Sequence, residues 1–405
     1  MTETTETEVL ILGASFLGIE LLRLLRRSWR GRGLEVALVD RQRVHPYIPL
    51  GHELLTARMA YGTGAGTVLE TAKYVESQGA EFIEGEITGF ERDSHTVTLA
   101  DGRRVSGRFV VVALGSEIRA PASLPGGEQL HAYKSEADYR RCAAALERVL
   151  GPDAEPGQAE PTVLVIGGGI SGVEIAGELA HLRAAAPPGW RVPKLVLVHG
   201  GERLLPGLTA RAGRQAEAAL RKQGARVELR TRVQSIEDGV ALLRGPGGEE
   251  RLPCALGFWA GGLQPPPVLA ALGLPLTEDG WLHVGPTLQC FSSTTEEPEI
   301  FAGGDVARVH GGRGRWPTMQ RAIESIFAAR TIATNILELN RCTPDYPGEG
   351  VPPLQPHPLW TDFAHGVSIG AQSLFVYGPL SLPAAGLNIW FRRFLMRRYM
   401  ARYRP

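Results

Sequence analysis

The sequence predicts an α/β fold with two parallel-sheet domains and a smaller C-terminal region, and three observations lead to this prediction. In mid-chain, an apolar run at residues 163–166 is followed at once by a glycine-rich turn and a helical pattern. A weaker copy of this strand–turn–helix unit opens the chain at residues 9–25. Two further apolar strands, 109–115 and 256–262, end in small residues. Strands that alternate with helices in this way are typical of parallel sheets.

The mid-chain turn places Gly167, Gly169 and Gly172 in the spacing G-x-G-x-x-G. Gly167 permits a tight turn, Gly169 lets a pyrophosphate approach the backbone, and Gly172 lets the helix pack close to the strand. The helix that follows offers free N–H groups and the positive end of its dipole to phosphates. Because the glycines lie between a strand and a helix, we interpret this stretch as a dinucleotide-binding site in a Rossmann-like domain.

The N-terminal unit has Gly13, Ser15 and Gly18 in the same spacing, with serine in place of the middle glycine. Its second strand ends at Asp40, where a carboxylate can accept both hydroxyls of an adenosine ribose, and the adjacent Arg41 is a further candidate for cofactor binding. The alternative for Asp40 is a solvated carboxylate in a turn. Two such units predict two dinucleotides bound face to face, and the alternative is a duplicated scaffold with one inactive site.

Candidate cofactor contacts also lie where other strands end. Ala113 and Gly115 close an apolar strand and leave room for a flat cofactor, and the backbone at Gly261 is placed to flank a nicotinamide. Gly304 and Asp305 follow another short strand, where the carboxylate can accept a hydrogen bond from a ribityl hydroxyl. The alternative for Asp305 is a simple N-cap of the next helix.

The choice of nicotinamide cofactor depends on the strand end at His199. A carboxylate there indicates NADH, whereas an arginine cluster indicates NADPH. His199 is neither, although Glu202 is close enough in sequence to reach a ribose and Arg203 favours a 2′-phosphate. We expect His199 to contribute to the nucleotide site, and the sequence favours NADH without excluding NADPH.

Composition limits the class of protein. The chain has 405 residues, enough for two to three domains, and its 43 basic and 43 acidic residues give no indication of nucleic-acid binding. No C-x-x-C pair is present, so neither a disulfide framework nor a metal site is expected; the cysteines are Cys142, Cys254, Cys290 and Cys342. The polar N-terminus carries no secretory signal and no apolar run is long enough to span a membrane, so we expect a cytoplasmic location.

The remaining elements follow from periodicity and turn residues. Strands are predicted at 81–87, 96–99 and 103–105, a loop at 45–50, and helices at 68–78, 135–150, 209–223 and 317–339. The predicted domains are a discontinuous first dinucleotide-binding domain (1–118 and 286–343), a second one (119–285), and a C-terminal region (344–405) with a β-hairpin and an amphipathic helix.

The C-terminal segment 388–405 is basic and aromatic, with six arginines and no acidic residue. One helical stripe is apolar and consists of Ile389, Met396, Tyr399, Met400 and Tyr403. Off this stripe lie Trp390, Phe391 and Phe394. Aromatic residues mixed with arginine favour a helix that lies on an anionic membrane surface, and the alternative is a helix docked on its own protein or on a dimer partner.

Taken in order, the motifs resemble the flavoproteins with two dinucleotide-binding domains, and within them the type II NADH dehydrogenases. The resemblance covers most of the chain through GASFLG with Asp40, HPYIPL, VVVALGS, VLVIGGGISGVEIAGELA, RLLP, WAGG, IFAGGD and PTMQRAIES. It implies that FAD binds the first unit and Asp305, and that NADH binds the mid-chain unit. His199 stands where the family usually has glutamate.

The resemblance also implies a reaction. Hydride passes from nicotinamide C4 to flavin N5, and the reduced flavin passes two electrons to a quinone. The helix that matches PTMQRAIES lines a quinone pocket in such proteins, which indicates Gln320 and Glu324, although the family more often has glutamine at the latter position. Glu174 is the candidate for orienting the nicotinamide or relaying a proton, and the alternative is a favourable charge at a helix N-terminus. Peripheral attachment to the inner face of the cell membrane and a possible homodimer complete these expectations.

Three other functions are weighed. A sulfide:quinone reductase needs cysteines beside the flavin, and Cys142 and Cys342 have a poor context for this. A ferredoxin-type reductase shares both nucleotide units but has no use for an apolar basic tail. A slow-turnover sensor that binds flavin and NADH remains open.

Overall fold

The structure, a computed structural model, describes residues 4–56, 65–119, 121, 124–154, 160–291, 296–309, 320–341, 353–358 and 364–404. Its α-helices are α1 (Phe16–Arg27), α2 (His52–Leu55), α3 (Thr71–Ser77), α4 (Glu136–Leu150), α5 (Ile170–Ala184), α6 (Ala210–Lys222), α7 (Ala322–Leu339) and α8 (Ala385–Arg402). Short 3-10 helices lie at Ile48–Leu50, Gly127–Gln129, Pro267–Ala271 and Gly304–Val306.

The strands in these ranges confirm the predicted α/β class. They are β1 (Thr4–Leu12), β2 (Val36–Asp40), β3 (His45–Pro46), β4 (Val68–Leu69), β5 (Glu81–Glu84), β6 (Ile87–Glu91), β7 (Thr96–Leu99), β8 (Arg104–Val112), β9 (Glu117–Ile118), β10 (His131–Ala132), β11 (Thr162–Ile166), β12 (Lys194–His199), β13 (Arg226–Leu229), β14 (Arg232–Glu237), β15 (Val240–Gly245), β16 (Gly248–Pro253), β17 (Leu256–Trp259), β18 (Leu263–Gln264), β19 (Leu282–Val284), β20 (Gln289–Phe291), β21 (Glu296–Ala302), β22 (Ala307–Val309), β23 (His365–Ile369), β24 (Gln372–Tyr377) and β25 (Leu380–Pro383).

The larger sheet has ten strands, and its centre is the parallel series β21-β8-β1-β2-β5. The apolar end of β1, residues 9–12, is completely buried in the core that this sheet shares with α1 and α7. The register aligns Leu12, Val112 and Ala302. The turns that follow these three residues therefore lie together at the carboxyl edge, where α/β sheets bind ligands.

The second sheet has five parallel strands in the order β10-β17-β11-β12-β13. Helices α4, α5 and α6 share its apolar core. Ile166 at the end of β11 pairs with Trp259 on one side and Val198 on the other, so the mid-chain glycine turn also lies at a carboxyl edge. The two Rossmann-like units are thus confirmed. The domain boundaries stay a prediction, and β19 of the large sheet precedes the predicted boundary at residue 286.

Several element boundaries differ from the prediction because of long-range pairing. The predicted helix 68–78 begins only at Thr71, because residues 68 and 69 form the strand β4. This strand pairs with β3, which lies in the predicted loop 45–50. Strand 81–87 is divided into β5 and β6. The predicted strands 103–105 and 109–115 are the single strand β8, because residues between them pair with both β1 and β7.

Helix starts were predicted well where a side chain caps them. Helix α4 begins after Ser135, which forms a capping box with Asp138, and α6 begins after Thr209. The predicted helix 317–339 instead begins at Ala322 among the described residues, because Arg321 is in an extended conformation. Pro317 and its neighbours lie outside the described residues.

The C-terminal region contains an antiparallel sheet of three strands, β23-β24-β25, rather than a hairpin, and the helix α8. Four residues of the predicted stripe are buried in the core of the larger sheet: Met396, Tyr399, Met400 and Tyr403. This stripe is docked on its own protein, so the stripe itself does not bind lipid. The exposed apolar residues of α8, called the outer face below, are Leu387, Trp390, Phe391, Phe394 and Leu395. Among the described helices, none has the length and hydropathy needed to span a membrane.

Candidate functional site

The mid-chain glycine turn has the conformation that its spacing predicts. Gly167 has a φ of +120°, and a Cβ there would lie 2.2 Å from the carbonyl oxygen of Ala260. A Cβ at Gly172 would lie 1.9 Å from the carbonyl oxygen of Gly167, so only glycine permits this close approach of α5. At Gly169, the N-cap of α5, a Cβ would meet nothing within 4 Å. This open space at a helix N-terminus fits a pyrophosphate.

The N-terminal turn is packed in the same way. Gly13 has a φ of +109°, and a Cβ there would lie 2.4 Å from the carbonyl oxygen of Ala113. A Cβ at Gly18 would lie 2.0 Å from the carbonyl oxygen of Gly13. Ser15 does not cap α1 with its side chain; its Oγ lies 3.2 Å from Nδ1 of His45. The serine that replaces the middle glycine is therefore held by the 45–50 segment.

Asp40, at the end of β2, stabilises the N-terminal turn by hydrogen bonds from its side chain. Its Oδ2 accepts a hydrogen bond from the Ala14 N–H at 2.7 Å, and its Oδ1 accepts one from the Gln42 N–H at 2.9 Å. Burial raises the pKa of Asp40. Each carboxylate oxygen has a further lone pair, so the group can still accept ribose hydroxyls. Arg41 lies on the surface, 3.7 Å from Glu117.

His199 takes the corresponding place in the second unit. Its Nδ1 accepts a hydrogen bond from the Gly168 N–H at 3.1 Å. Its buried Nε2 has no hydrogen-bond partner among the residues that the structure describes. Burial lowers the pKa of His199, so the ring is neutral at pH 7. Arg203 donates to the carbonyl oxygens of Leu205 and Pro206, so its guanidinium is engaged by the main chain.

The carboxyl edges of the two sheets meet at one cluster of polar side chains. Asp305, three residues beyond Ala302 at the end of β21, accepts a hydrogen bond from Ser116 Oγ at 2.6 Å. Lys134, which lies just beyond β10 of the second sheet, donates to Ser116 Oγ, and its Nζ is 3.6 Å from Oδ2 of Asp305. Asp305 is not the N-cap of a following helix, because β22 begins at Ala307. The two glycine turns thus belong to sheet edges that face each other.

Glycines and Gln320 complete this edge. Gly115 and Gly304 have φ values of +72° and +74°, and a Cβ at Gly115 would meet nothing within 4 Å. A Cβ at Gly261 would lie 2.1 Å from the ring of Trp259, so Gly261 makes room for that ring. Gln320 Nε2 donates to the main-chain oxygen of Asp305 at 3.2 Å. Among these positions, Gly115 has open space beside its backbone, as the flat-cofactor prediction requires.

Glu174 is directed towards the C-terminal region. It is buried in the second turn of α5, past the first turn in which a carboxylate would complement the helix dipole. Arg392 Nη1 lies 2.6 Å from Glu174 Oε1, His52 Nδ1 lies 3.4 Å from Oε2, and the Ser368 N–H donates to Oε1 at 3.2 Å. Burial raises the pKa of Glu174, but Arg392 and His52 outweigh burial and hold it below its ordinary value. The carboxylate is therefore ionised at pH 7.

Glu324 and Gln320 are separated in the structure, although the sequence predicted one helix for both. The Glu324 side chain is buried, and its Oε1 lies 2.6 Å from Nε2 of His357. The other ring nitrogen of His357 lies 3.1 Å from Thr331 Oγ1. Gln320 precedes α7 and stays at the Asp305 edge. The Glu324 carboxylate is thus paired with His357 through Oε1.

The described cysteines are buried thiols: Cys142, Cys254 and Cys290. Burial raises the pKa of Cys142 to about 12 and that of Cys254 to about 11. Thiols in such surroundings are poor nucleophiles. Cys342 lies outside the described residues. Within the described ranges, no group of His, Cys, Asp and Glu side chains has the arrangement of a metal site.

Comparisons with known proteins agree with this architecture. The model of the family described as pyridine nucleotide-disulphide oxidoreductase matches residues 7–329. The type II NADH:quinone oxidoreductase NdhA of Mycobacterium tuberculosis is 24% identical over 82% of this chain and 72% of its own length. The demethylphylloquinone reductase NdbB of Synechocystis is 27% identical over 76% of this chain and 73% of its own length. A type II NADH:quinone oxidoreductase of Haemophilus influenzae is 27% identical over 82% and 80%.

Two solved structures share the fold over nearly the whole chain. The NDH2 of Plasmodium falciparum in complex with NADH gives a TM-score of 0.76 at 13% identity and covers 97% of this chain and 96% of its own. The sulfide:quinone oxidoreductase of Aquifex aeolicus gives a TM-score of 0.76 at 16% identity and covers 98% and 91%. Since both identities are low, these structures support the fold and do not decide between the two activities.

Proposed function

The chain belongs to the pyridine nucleotide-disulphide oxidoreductase family. Within this family, we infer that it is a flavin-dependent type II NADH:quinone oxidoreductase. The relatives that it matches over most of their length carry that name or reduce a related quinone. The observation that carries the inference is the meeting of the two carboxyl edges at Lys134, Ser116 and Asp305. Two dinucleotides bound at these edges would have their reactive ends in one space.

We propose FAD as the flavin, bound by the discontinuous domain 1–118 and 286–343. The α1 N-terminus at Gly13 and Ser15 would take the pyrophosphate, Asp40 the adenosine ribose, and Asp305 the ribityl chain. When bound, the flavin accepts a hydride and passes electrons on. The chain's own contribution is to orient the cofactor and to exclude water from the space between the sheets.

We propose NADH rather than NADPH as the nucleotide of the 119–285 domain. The open space at Gly169 fits a pyrophosphate, and the unpartnered Nε2 of His199 offers a hydrogen bond to a ribose hydroxyl. A 2′-phosphate would need a free guanidinium, and Arg203 is bound to the main chain. Glu174, being ionised, accepts hydrogen bonds and cannot donate a proton at neutral pH. Its proposed role is therefore to orient the nicotinamide side of the site.

We propose that the outer face of α8 attaches the protein to an anionic membrane surface on the cytoplasmic side, where the quinone is dissolved. The outer face exposes Trp390, Phe391 and Phe394, and Arg397 and Arg398 are exposed on the same helix. Apolar rings beside arginine suit the lipid interface. Gln320 stands at the flavin edge and is the residue expected to meet the quinone, with Glu324 behind it. A homodimer formed through the outer face is the alternative.

The test is a flavin spectrum of the purified protein under anaerobic conditions. We expect NADH to bleach the flavin faster than NADPH does, and a soluble quinone to restore the colour over many turnovers. Asp305→Ala is expected to lose the flavin, whereas Lys73→Ala, an exposed surface change, is expected to retain it. A colourless wild-type protein, or a flavin that quinone does not reoxidise, would contradict the proposal. Very slow turnover would favour a sensor, and sulfide-driven bleaching would favour a sulfide:quinone reductase.

A further inference from the structure

Lys134 differs from the other lysines in its surroundings. The chain has only four lysines, and Lys73, Lys194 and Lys222 are exposed, the first two beside surface carboxylates. The Lys134 side chain is only 20% exposed. Nearly every other cation in the chain is an arginine, so a compact ammonium stands here in a sequence that otherwise favours guanidinium. An ammonium is a point charge that donates in three directions, whereas a guanidinium needs a planar fork of acceptors.

The contacts of Lys134 join the two proposed cofactor domains. Its backbone N–H donates to Asp138 Oδ2 at 3.2 Å, which fixes the residue at the entry of α4. Its ammonium donates to Ser116 Oγ, which itself donates to Asp305 Oδ2 at 2.6 Å. The ammonium also lies 3.6 Å from that same oxygen. A cation from the second unit thus holds the carboxylate of the first.

We propose that Lys134 is a positioning residue for the flavin: it aims the Asp305 carboxylate at the ribityl chain and places a positive charge at that end of the cofactor, so that flavin binds more tightly and is reduced more easily. This inference rests on the proposed function.

The physical reason is charge balance in a partly buried site. Without the ammonium, Asp305 loses the cation that lies 3.6 Å from its carboxylate, beside a cofactor that already carries a diphosphate, and Arg308 is the cation that still interacts with it. Two-electron reduction adds further negative charge to a flavin near neutral pH, so the missing cation weakens the reduced form more than the oxidised form. Burial holds the pKa of Lys134 below its ordinary value of 10.5, and the contact with Asp305 opposes this shift and favours the charged form.

The test compares Lys134→Met with Lys134→Arg, which keeps the charge, and with Lys194→Met, which removes an exposed lysine paired with Glu160. Flavin affinity is measured by fluorescence after the flavin has been removed, and the midpoint potential by equilibration with a reference dye. We expect Lys134→Met to weaken binding of oxidised FAD about tenfold, and of reduced FAD about tenfold more, which lowers the two-electron potential by about 30 mV. Lys134→Arg is expected to lower the potential by no more than half of the shift seen in Lys134→Met, and Lys194→Met is expected to have the wild-type potential.

The outcomes separate the two proposals. A wild-type protein that takes up no flavin would overturn the proposed function together with this inference. A wild type that binds flavin, with Lys134→Met unchanged in both affinity and potential, would overturn the role of Lys134 alone. If Lys134→Met does not fold, Lys134→Gln is measured in its place, because an amide can still donate to Ser116 without the charge. An unchanged potential in that variant overturns the inference equally.

Discussion

The two nucleotide units hold their glycine turns in place with different residues at the end of the second strand. In each, the residue after the first glycine donates its N–H to that strand end: Ala14 to the Asp40 carboxylate, and Gly168 to the His199 ring. The first unit therefore has a carboxylate at the end of its second strand, where the second unit has a neutral imidazole. The common hydrogen bond fixes the turn, and the difference sets the charge that a nucleotide meets.

The units are also alike in how they contact α8. Two residues beyond the last glycine of each turn stands a buried glutamate, Glu20 in α1 and Glu174 in α5. Glu20 accepts a hydrogen bond from Tyr403, and Glu174 pairs with Arg392. Arg392 also donates to the Pro49 carbonyl oxygen at 2.6 Å. The C-terminal helix and its C-cap therefore contact equivalent positions of both units: Tyr403 and Arg402 contact Glu20, and Arg392 contacts Glu174.

The largest expected effects come from the last glycine of each turn. Gly18→Ala is expected to yield protein without flavin, and Gly172→Ala to yield yellow protein whose KM for NADH rises about 100-fold. In each case a Cβ would lie about 2 Å from a carbonyl oxygen, which forces the helix away from the turn. Gly33→Ala is the control, since a Cβ there meets nothing within 4 Å. Loss of flavin from Gly172→Ala alone would reverse the assignment of the two units.

The contacts of α8 give the next largest effect. Arg392→Met leaves the buried Glu174 without its main counter-charge and is expected to lower the free energy of unfolding by about 3–5 kcal/mol. Tyr403→Phe removes one hydrogen bond to ionised Glu20 and is expected to cost about 2 kcal/mol. Urea denaturation measures both, with the exposed Arg397→Met as control. Equal losses in all three variants would show that the two contacts are not specific.

Acid should weaken the fold through the same glutamates. In the folded protein the pKa values of Glu20 and Glu174 are below the ordinary value of 4.5, so their contribution to stability is present above that value and is lost as pH falls through the folded pKa. We expect the free energy of unfolding to drop between about pH 5 and pH 3. Glu174→Gln is expected to be less stable at pH 7 and to have a shallower pH slope. A parallel slope would show that Glu174 does not titrate differently on unfolding.

The smallest effect concerns His199. His199→Ala is expected to raise the Kd for NADH by about 3–10-fold. The variant loses one hydrogen bond to the nucleotide and the hydrogen bond from the Gly168 N–H that stabilises the turn. Since the folded pKa is below the ordinary value of 6.5, the ring is neutral above it and the wild-type affinity should be constant from about pH 6.5 to 8. Calorimetric titration at several pH values measures this. A steep change in affinity across that range would mean that the ring is charged when it binds.

Local sequence patterns were sufficient for the glycine turns and for the strands that lead into them, while long-range pairing moved several other boundaries. The glycine spacing, the apolar runs and Ser135 as a cap are decided within a few residues, and these predictions agree with the structure. The family resemblance was confirmed as well. Asp305 was identified as a candidate from its strand end alone.

Partners that are distant in sequence could not be predicted. Lys134 with Ser116, His357 with Glu324, and Arg392 with Glu174 join different elements, and no short pattern indicates them. For α8 the periodicity identified the apolar stripe correctly, but periodicity does not say what covers a stripe. Its own protein covers Met396 and Tyr399, and the aromatic residues off the stripe form the outer face.

The most direct test of the central claim is an experimental structure of the protein with FAD and NADH bound together. The account predicts one pyrophosphate at the 13–18 turn, the other at the 167–172 turn, and nicotinamide C4 within about 3–4 Å of flavin N5. Nucleotides bound in separate cavities, with the two rings too far apart for hydride transfer, would contradict it.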